Sequence, residues 1–88
     1  ELLAALKGDF VVPAAPSIER DGRQYPDMDR AAALRVNQGE GVFFDEGVWH
    51  WTPYALTPTC DVLVIFKKDT PGNDFMACRL DEPVTMEL

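Results

Sequence analysis

Glycines and prolines divide this chain into short apolar runs, and that spacing restricts the folds open to it. Six glycines and seven prolines stand among 88 residues. Between them, runs rich in β-branched and aromatic residues recur about every eight to twelve residues, with turn signals separating them. The pattern predicts an all-β antiparallel sandwich or barrel, in one domain that spans residues 1–88.

The predicted strands follow the β-favouring runs. They cover residues 9–13, 32–36, 42–46, 48–56, 61–66 and 75–80. The run 61–66 is almost continuously apolar, which predicts a strand buried on both faces. Residues 13–30 hold three prolines and an Asp21-Gly22 turn signal, so we predict an irregular excursion there. Residues 1–7 favour a short helix by local propensity.

The charge balance excludes some classes of partner. Eight basic residues stand against fifteen acidic ones, for a net charge of −7. Nucleic acids and anionic membrane surfaces attract basic proteins, so neither is an expected partner. The sequence also contains no apolar run near the roughly 20 residues of a membrane-spanning helix, and no signal peptide. We therefore expect a cytoplasmic protein that binds a small molecule.

Chain length and cysteine content bear on stability. A chain this short buries a limited share of its surface, so we predict a homodimer. The two cysteines, Cys60 and Cys78, are too far apart for a Cys-x-x-Cys motif. We interpret them as buried thiols in a reducing compartment, with a disulfide between neighbouring strands as the alternative.

The only histidine lies in an aromatic stretch, GVFFDEGVWHW, at residues 41–51. Because strand side chains alternate between faces, His50 shares its face with every second residue. Its predicted companions are Val48 and Thr52, whereas the opposite face takes Trp49, Trp51 and Pro53. Histidine changes charge near neutral pH, so His50 is the candidate proton carrier.

Glycine spacing around His50 resembles a known motif. From Gly39 the chain reads five residues to Asp45, one to Gly47, two to His50 and three to Tyr54. This resembles the second motif of the cupins, a family of small antiparallel β-barrels also described as a double-stranded β-helix or jelly roll. In that motif a Pro stands in the place of Asp45 and an Asn in the place of Tyr54.

The start of the chain resembles the end of the first cupin motif. Glu1 and Gly8, with six residues between them, have the spacing of the Glu and Gly there. In a cupin the Glu and the residues after it form a strand, and the resemblance therefore predicts a strand rather than a helix over residues 1–7. Cupins carry His-x-His just before this Glu, so the barrel is predicted to be incomplete at its N-terminus.

A closer resemblance is to the ureidoglycolate lyases, a cupin family that splits ureidoglycolate into glyoxylate and urea. The matching segments are Leu34-Arg35-Val36, the Gly39 and Gly41 turn, Gly47-Val48-Trp49-His50, Ala55-Leu56 and the strand 61–65. The family has a second His and then a Pro after the first His, where this chain has Trp51 and Thr52. The resemblance implies a carbon–nitrogen lyase of allantoin and purine breakdown.

Site residues are predicted partly from this resemblance and partly from residue chemistry. His50 is the predicted acid–base catalyst, with Lys67 as a second catalytic group and Glu1 orienting His50. A guanidinium fits a carboxylate, so Arg35 is predicted to bind the substrate carboxylate, with Lys67 as the alternative. Further predicted substrate-binding residues are Trp49, Trp51 and Tyr54. No cofactor is predicted.

Two other functions remain open on the sequence. The protein could be a non-catalytic cupin that binds a small carboxylate or sugar, because the second His is absent. It could also be a metallocupin that binds a divalent metal, with Glu1 and His50 as two of its ligands and the remaining ones upstream of residue 1. For His50 the alternative to a site role is a hydrogen-bonded, inert core residue.

Overall fold

The computed structural model describes residues 1–66, which form nine β-strands and one short 3₁₀ helix. Their bounds are β1 Leu2–Lys7, β2 Phe10–Ala15, β3 Ser17–Arg20, β4 Arg23–Pro26, the 3₁₀ helix Met28–Arg30, β5 Ala32–Val36, β6 Gly41–Phe43, β7 Trp49–His50, β8 Tyr54–Ala55 and β9 Asp61–Ile65. Within residues 1–66 there is no helix long and apolar enough to cross a membrane. All strand pairs are antiparallel, which confirms the predicted all-β antiparallel class.

The strands form two larger sheets and a separate hairpin. One sheet has the order β6-β1-β9, and the other has the order β5-β2-β7 with β8 also paired to β2. A single apolar cluster joins these two sheets. Its members are Leu3, Ala5, Phe10, Val12, Ala14, Val36 and Phe44. The described part of the chain is thus a sandwich-like arrangement of the kind found in cupins.

Strand β1 shows tertiary context overriding local propensity, as the resemblance to cupins predicted. Residues Leu2–Lys7 are extended and pair with β6 on one side and β9 on the other. Leu3 and Ala5 point into the core and are 2% and 1% exposed. Two flanking strands and a buried face outweigh the helical preference of the Leu- and Ala-rich segment.

Residues 13–30 are more regular than predicted. The Asp21-Gly22 turn is confirmed, with φ of 52° and 77°. Positive φ at both central residues is the geometry that joins twisted antiparallel strands, so β3 and β4 pair in a hairpin. The predicted irregular excursion is therefore wrong for residues 17–26. Two of the three prolines lie at the margins of the hairpin, where Pro16 separates β2 from β3 and Pro26 ends β4, and the third, Pro13, lies within β2.

Strand β9 exists where predicted, but the prediction that it is buried is wrong. Leu63, Val64 and Ile65 are 41%, 45% and 52% exposed. The strand lies at one end of the β6-β1-β9 order, so among the described strands it has β1 as its only neighbour. The continuously buried strand is β2, which is central in its sheet.

Candidate functional site

His50 lies on the inward face of the second sheet. The residue opposite it in β2 is Ala14, a member of the core cluster. Because cross-strand partners share a face, the imidazole lies on the core side. It stacks on the ring of Phe44, with the ring centroids 4.5 Å apart and the planes 4° from parallel. The side chain is still 28% exposed, so part of the imidazole faces solvent.

A turn between Phe44 and His50 brings their rings together. The amide of Val48 donates to the carbonyl of Asp45 at 3.3 Å, and Gly47 has φ of 84°. A residue with a β-carbon is strained at that φ, so the glycine of the His50 motif has a conformational role. Phe44 precedes the turn and is 6% exposed. The stack therefore rests on a ring that is itself fixed in the core.

Glu1 completes a cluster of three residues that bridges the two sheets. Its backbone pairs with Phe44: the Phe44 amide donates to the Glu1 carbonyl at 2.8 Å, and the Glu1 nitrogen donates to the Phe44 carbonyl at 3.1 Å. Its side-chain Oε1 contacts Nε2 of His50. The two residues predicted from separate motifs, 49 positions apart, are thus in direct contact in the fold.

The Glu1 contact favours one tautomer of His50. An ionised carboxylate only accepts hydrogen bonds, so beside Glu1 the hydrogen of a neutral imidazole is assigned to Nε2. In neutral imidazole Nδ1 is then the acceptor that can take a proton. When it does, the carboxylate stabilises the positive ring. His50 can thus act as a general base whose orientation is held by the Glu1 carboxylate.

The predicted substrate-binding residues lie on the opposite face of the sheet from His50. Arg35 and Tyr54 are both paired with Val11 of β2, which is three residues from Ala14. Trp49 pairs with Ala15, and the amide of Trp51 donates to the carbonyl of Pro13 at 3.0 Å. Odd separations along β2 point to alternate faces. The structure therefore does not bring these four side chains together with His50.

Arg35 already has protein partners. Its Nη2 lies 3.3 Å from Oδ2 of Asp9, and its Nε donates to Oδ1 of Asn37 at 3.0 Å. The side chain is 61% exposed. Asp9 also accepts a hydrogen bond from the Gln38 amide at 2.8 Å. In this structure Arg35 fastens the loop after β5 to the turn before β2.

Two of the residues named in the sequence predictions lie outside the described part of the chain. They are Lys67, the second predicted catalytic residue, and Cys78. Cys60 is a free thiol that packs against the core cluster. Among residues 1–66 no three His, Cys, Asp or Glu side chains lie close enough to hold a metal ion. Glu1 and His50 supply two potential ligands, which is fewer than a structural or catalytic zinc site uses.

The sequence did not predict two residues that contact His50 or the turn before it, Phe44 and Ser17. Phe44 belongs to the core cluster, and its ring also stacks on the His50 ring. Ser17 bonds to Trp49 and to the carbonyl of Gly47 in the turn before His50. No motif contains Ser17, and only the pairing of β2 with β7 places it there.

Comparison with known proteins identifies the family. The family model described as ureidoglycolate lyase matches residues 3–87, which include His50. A search of curated proteins found no match, and a search of solved structures found none either. The match covers nearly the whole chain and agrees with the β-rich fold and with the motif around His50. This chain therefore belongs to the ureidoglycolate lyase family.

Proposed function

We propose that this protein is a carbon–nitrogen lyase that cleaves ureidoglycolate, or a closely similar hydroxy-acid ureide, to glyoxylate and urea. One observation carries the proposal: the only histidine of a ureidoglycolate lyase family member is partly exposed, stacked on Phe44 and in contact with the Glu1 carboxylate. An inert core histidine has no need of solvent access. A proton carrier needs both access and a fixed orientation.

The reaction requires one proton to leave oxygen and one to reach nitrogen. Nδ1 of His50 takes the proton of the substrate hydroxyl while the carbon–oxygen double bond forms. The bond between the same carbon and the urea nitrogen breaks, and its electron pair stays on nitrogen. The imidazolium, stabilised by Glu1, then gives the proton to that nitrogen. Protons and electrons balance without an oxidant or a hydrolytic water.

The substrate carboxylate needs a cationic partner. The sequence predicts Arg35 or Lys67 for this role. Arg35 is paired with Asp9 and lies on the sheet face opposite His50, so we assign the substrate carboxylate to Lys67, which lies outside residues 1–66. A lysine ammonium binds a carboxylate as a point charge, without the bidentate geometry of a guanidinium. The assignment of Lys67 rests on the sequence alone.

Assembly and location are part of the same proposal. Leu2, Phe43 and Ile65 form a cross-strand row on the outer face of the β6-β1-β9 sheet. Phe43 and Ile65 are 68% and 52% exposed. Apolar rows of this kind favour association, and we propose that a second copy of the chain covers this one. We also propose a cytoplasmic enzyme that acts in allantoin breakdown.

The test of the lyase proposal is the variant His50→Asn, which keeps polarity and approximate size but cannot carry the proton. We expect turnover of ureidoglycolate to fall at least a hundredfold, since acid–base catalysis contributes about 10²–10⁴-fold. We expect the melting temperature to stay within about 4 °C, because one net hydrogen bond contributes about 1 kcal/mol to stability. Both quantities are measured on the same preparation.

The matched variant is Glu1→Gln, which keeps the contact to His50 and removes the charge. Its turnover should fall less than that of His50→Asn, because the base remains while its positive form loses stabilisation. Full turnover by His50→Asn would overturn the acid–base role. A parent protein that binds glyoxylate or ureidoglycolate without turnover would favour the non-catalytic cupin instead.

A further inference from the structure

We propose that Ser17 is a positioning residue for His50, a role that rests on the proposed lyase function of His50. Its hydroxyl uses both of its hydrogen-bonding capacities at the turn before His50. It donates to the carbonyl of Gly47, and it accepts from Nε1 of Trp49 at 2.9 Å. The residue therefore connects the start of the β3–β4 hairpin to both ends of the segment that leads into β7.

The short length of β7 explains why it needs this connection. The strand has two residues, and its register with β2 pairs Ala14 with His50 and Ala15 with Trp49. If the same register continues, Pro16 lies opposite Val48 and Ser17 lies opposite Gly47. Two cross-strand pairs fix the direction of a strand weakly. The candidate catalyst, His50, projects from one of these two pairs, the one with Ala14.

A side chain extends the ladder beyond β2. The amide of Trp51 donates to the carbonyl of Pro13, so hydrogen-bonded pairs fall at every second residue of β2, and in the continued register the next ones are Ala15 with Trp49 and Ser17 with Gly47. At the last of these positions the Ser17 hydroxyl donates to the Gly47 carbonyl. The pairing of β2 with β7 thus continues past the end of β2 by a side-chain bond.

Trp49 makes this arrangement specific. Its side chain lies on the face opposite His50, and its indole N–H has Ser17 as acceptor. The indole is large and half buried, so the hydrogen bond from its N–H to Ser17 also restricts the movement of the Trp49 backbone. The backbone of His50 is next in the chain, and the rotation of its imidazole against Phe44 and Glu1 depends on it. A displacement of about 1 Å in such a group can cost about a hundredfold in rate.

Three variants test the inference. Ser17→Ala removes both hydrogen bonds, Ser17→Thr keeps the hydroxyl on a residue that favours strands, and Trp49→Phe removes the indole donor alone. We expect kcat to fall about tenfold to a hundredfold for Ser17→Ala, with KM within twofold. Ser17→Thr should restore kcat to within about threefold, and Trp49→Phe should give an intermediate loss.

A second measurement does not depend on turnover. Because His50 is the only histidine, the imidazole ¹⁵N and ¹³C resonances of the intact protein belong to it alone. Ser17→Ala should shift these resonances, while Ser17→Thr should resemble the parent. The matched control is Thr57→Val. The Thr57 hydroxyl also bridges two groups, accepting from the Asp9 amide at 3.2 Å and donating to the Thr59 carbonyl at 2.7 Å.

The control should lower stability without changing the His50 resonances or kcat. Unchanged resonances and full kcat in Ser17→Ala, with only a lower melting temperature, would overturn the positioning role. If the parent protein lacks lyase activity, the proposed function fails, and the resonances alone then decide whether Ser17 positions the imidazole.

Discussion

Strands β2 and β9 are both mostly apolar, yet they occupy opposite environments. β2 reads FVVPAA, and all of its residues except Pro13 are buried, with Phe10 and Val12 fully so. β9 reads DVLVI, and only Val62 is partly buried. Apolar composition is nearly the same, so composition does not decide burial here.

Position within the sheet decides it. β2 has neighbours along both edges, namely β5 on one side and β7 and β8 on the other. One of its faces lies in the core cluster, and on the other face Val11 and Ala15 are 5% and 2% exposed. β9 has β1 beside it among the described strands, and its outer face carries part of the apolar row that we assign to a second copy. A strand is buried when distant segments pair with it, whatever its own pattern indicates.

The largest effect is expected at the turn that leads into β2. Gly8 has φ of 74°, and a β-carbon there would collide with the Thr59 carbonyl and the Thr57 hydroxyl. Gly8→Ala therefore combines backbone strain with overpacking, and we expect a loss of about 3 kcal/mol or more in the free energy of unfolding. Urea denaturation measures it.

The control for this variant is Gly22→Ala in the hairpin turn. Gly22 has a similar φ of 77° with no atoms within 4 Å of the added carbon. It should lose only about 1 kcal/mol, which is the cost of the positive φ. Equal losses at the two glycines would mean that contact with the segment 57–59 does not hold β2 in place.

A matched pair of valines tests the comparison of the strands directly. Val12 in β2 is 0% exposed, whereas Val64 in β9 is 45% exposed. Val12→Ala should lower the free energy of unfolding by about 2 kcal/mol through lost burial and a cavity. Val64→Ala should lower it by less than about 1 kcal/mol. A loss at Val64 as large as that at Val12 would show that β9 is covered in solution.

Much of this fold follows from local sequence. Glycine turns and β-favouring runs locate most strands, and alternation correctly separates the His50 face from the Trp49 face. The Glu1 and His50 motifs also predict two residues that the fold brings together. These features depend on residues close together in the chain, or on motifs that belong to a known fold.

The remaining features depend on contacts between distant segments. Nothing local distinguishes β2 as the central strand, since its partners are β5, β7 and β8. The residues predicted to bind substrate were chosen by residue type, and Arg35 proves to be paired with Asp9 across 26 positions. Phe44 meets His50 only after the two sheets have packed, and Ser17 reaches its partners only through the pairing of β2 with β7. Local sequence patterns do not show which side chains from distant segments come into contact.

The apolar row on the first sheet gives a smaller expected effect, on association. Ile65→Lys places a charge beside Leu2 in the proposed contact between copies. We expect the dimer to dissociate at micromolar concentration in light scattering, with the unfolding free energy of the monomer nearly unchanged at this exposed position. Because the chain has a net charge of −7, an added positive charge reduces general repulsion between copies.

Dissociation would therefore reflect the lost apolar contact. Gln24→Lys in the exposed hairpin adds the same charge away from the row and should leave association unchanged. A parent protein that is monomeric at these concentrations would contradict the proposed dimer.

The smallest effect is expected at Arg35, which is paired with Asp9 on the sheet face away from His50. Arg35→Gln removes an ion pair whose arginine side chain is 61% exposed, and such pairs contribute about 0–1 kcal/mol. Since Arg35 lies on the face opposite His50, we expect kcat and KM for ureidoglycolate to stay within twofold of the parent values. Asp9→Asn weakens the same pair from the other side and should match it in activity. A KM raised tenfold by Arg35→Gln but not by Asp9→Asn would return Arg35 to the carboxylate-binding role that the sequence predicts, because only the arginine could then be the partner of the substrate.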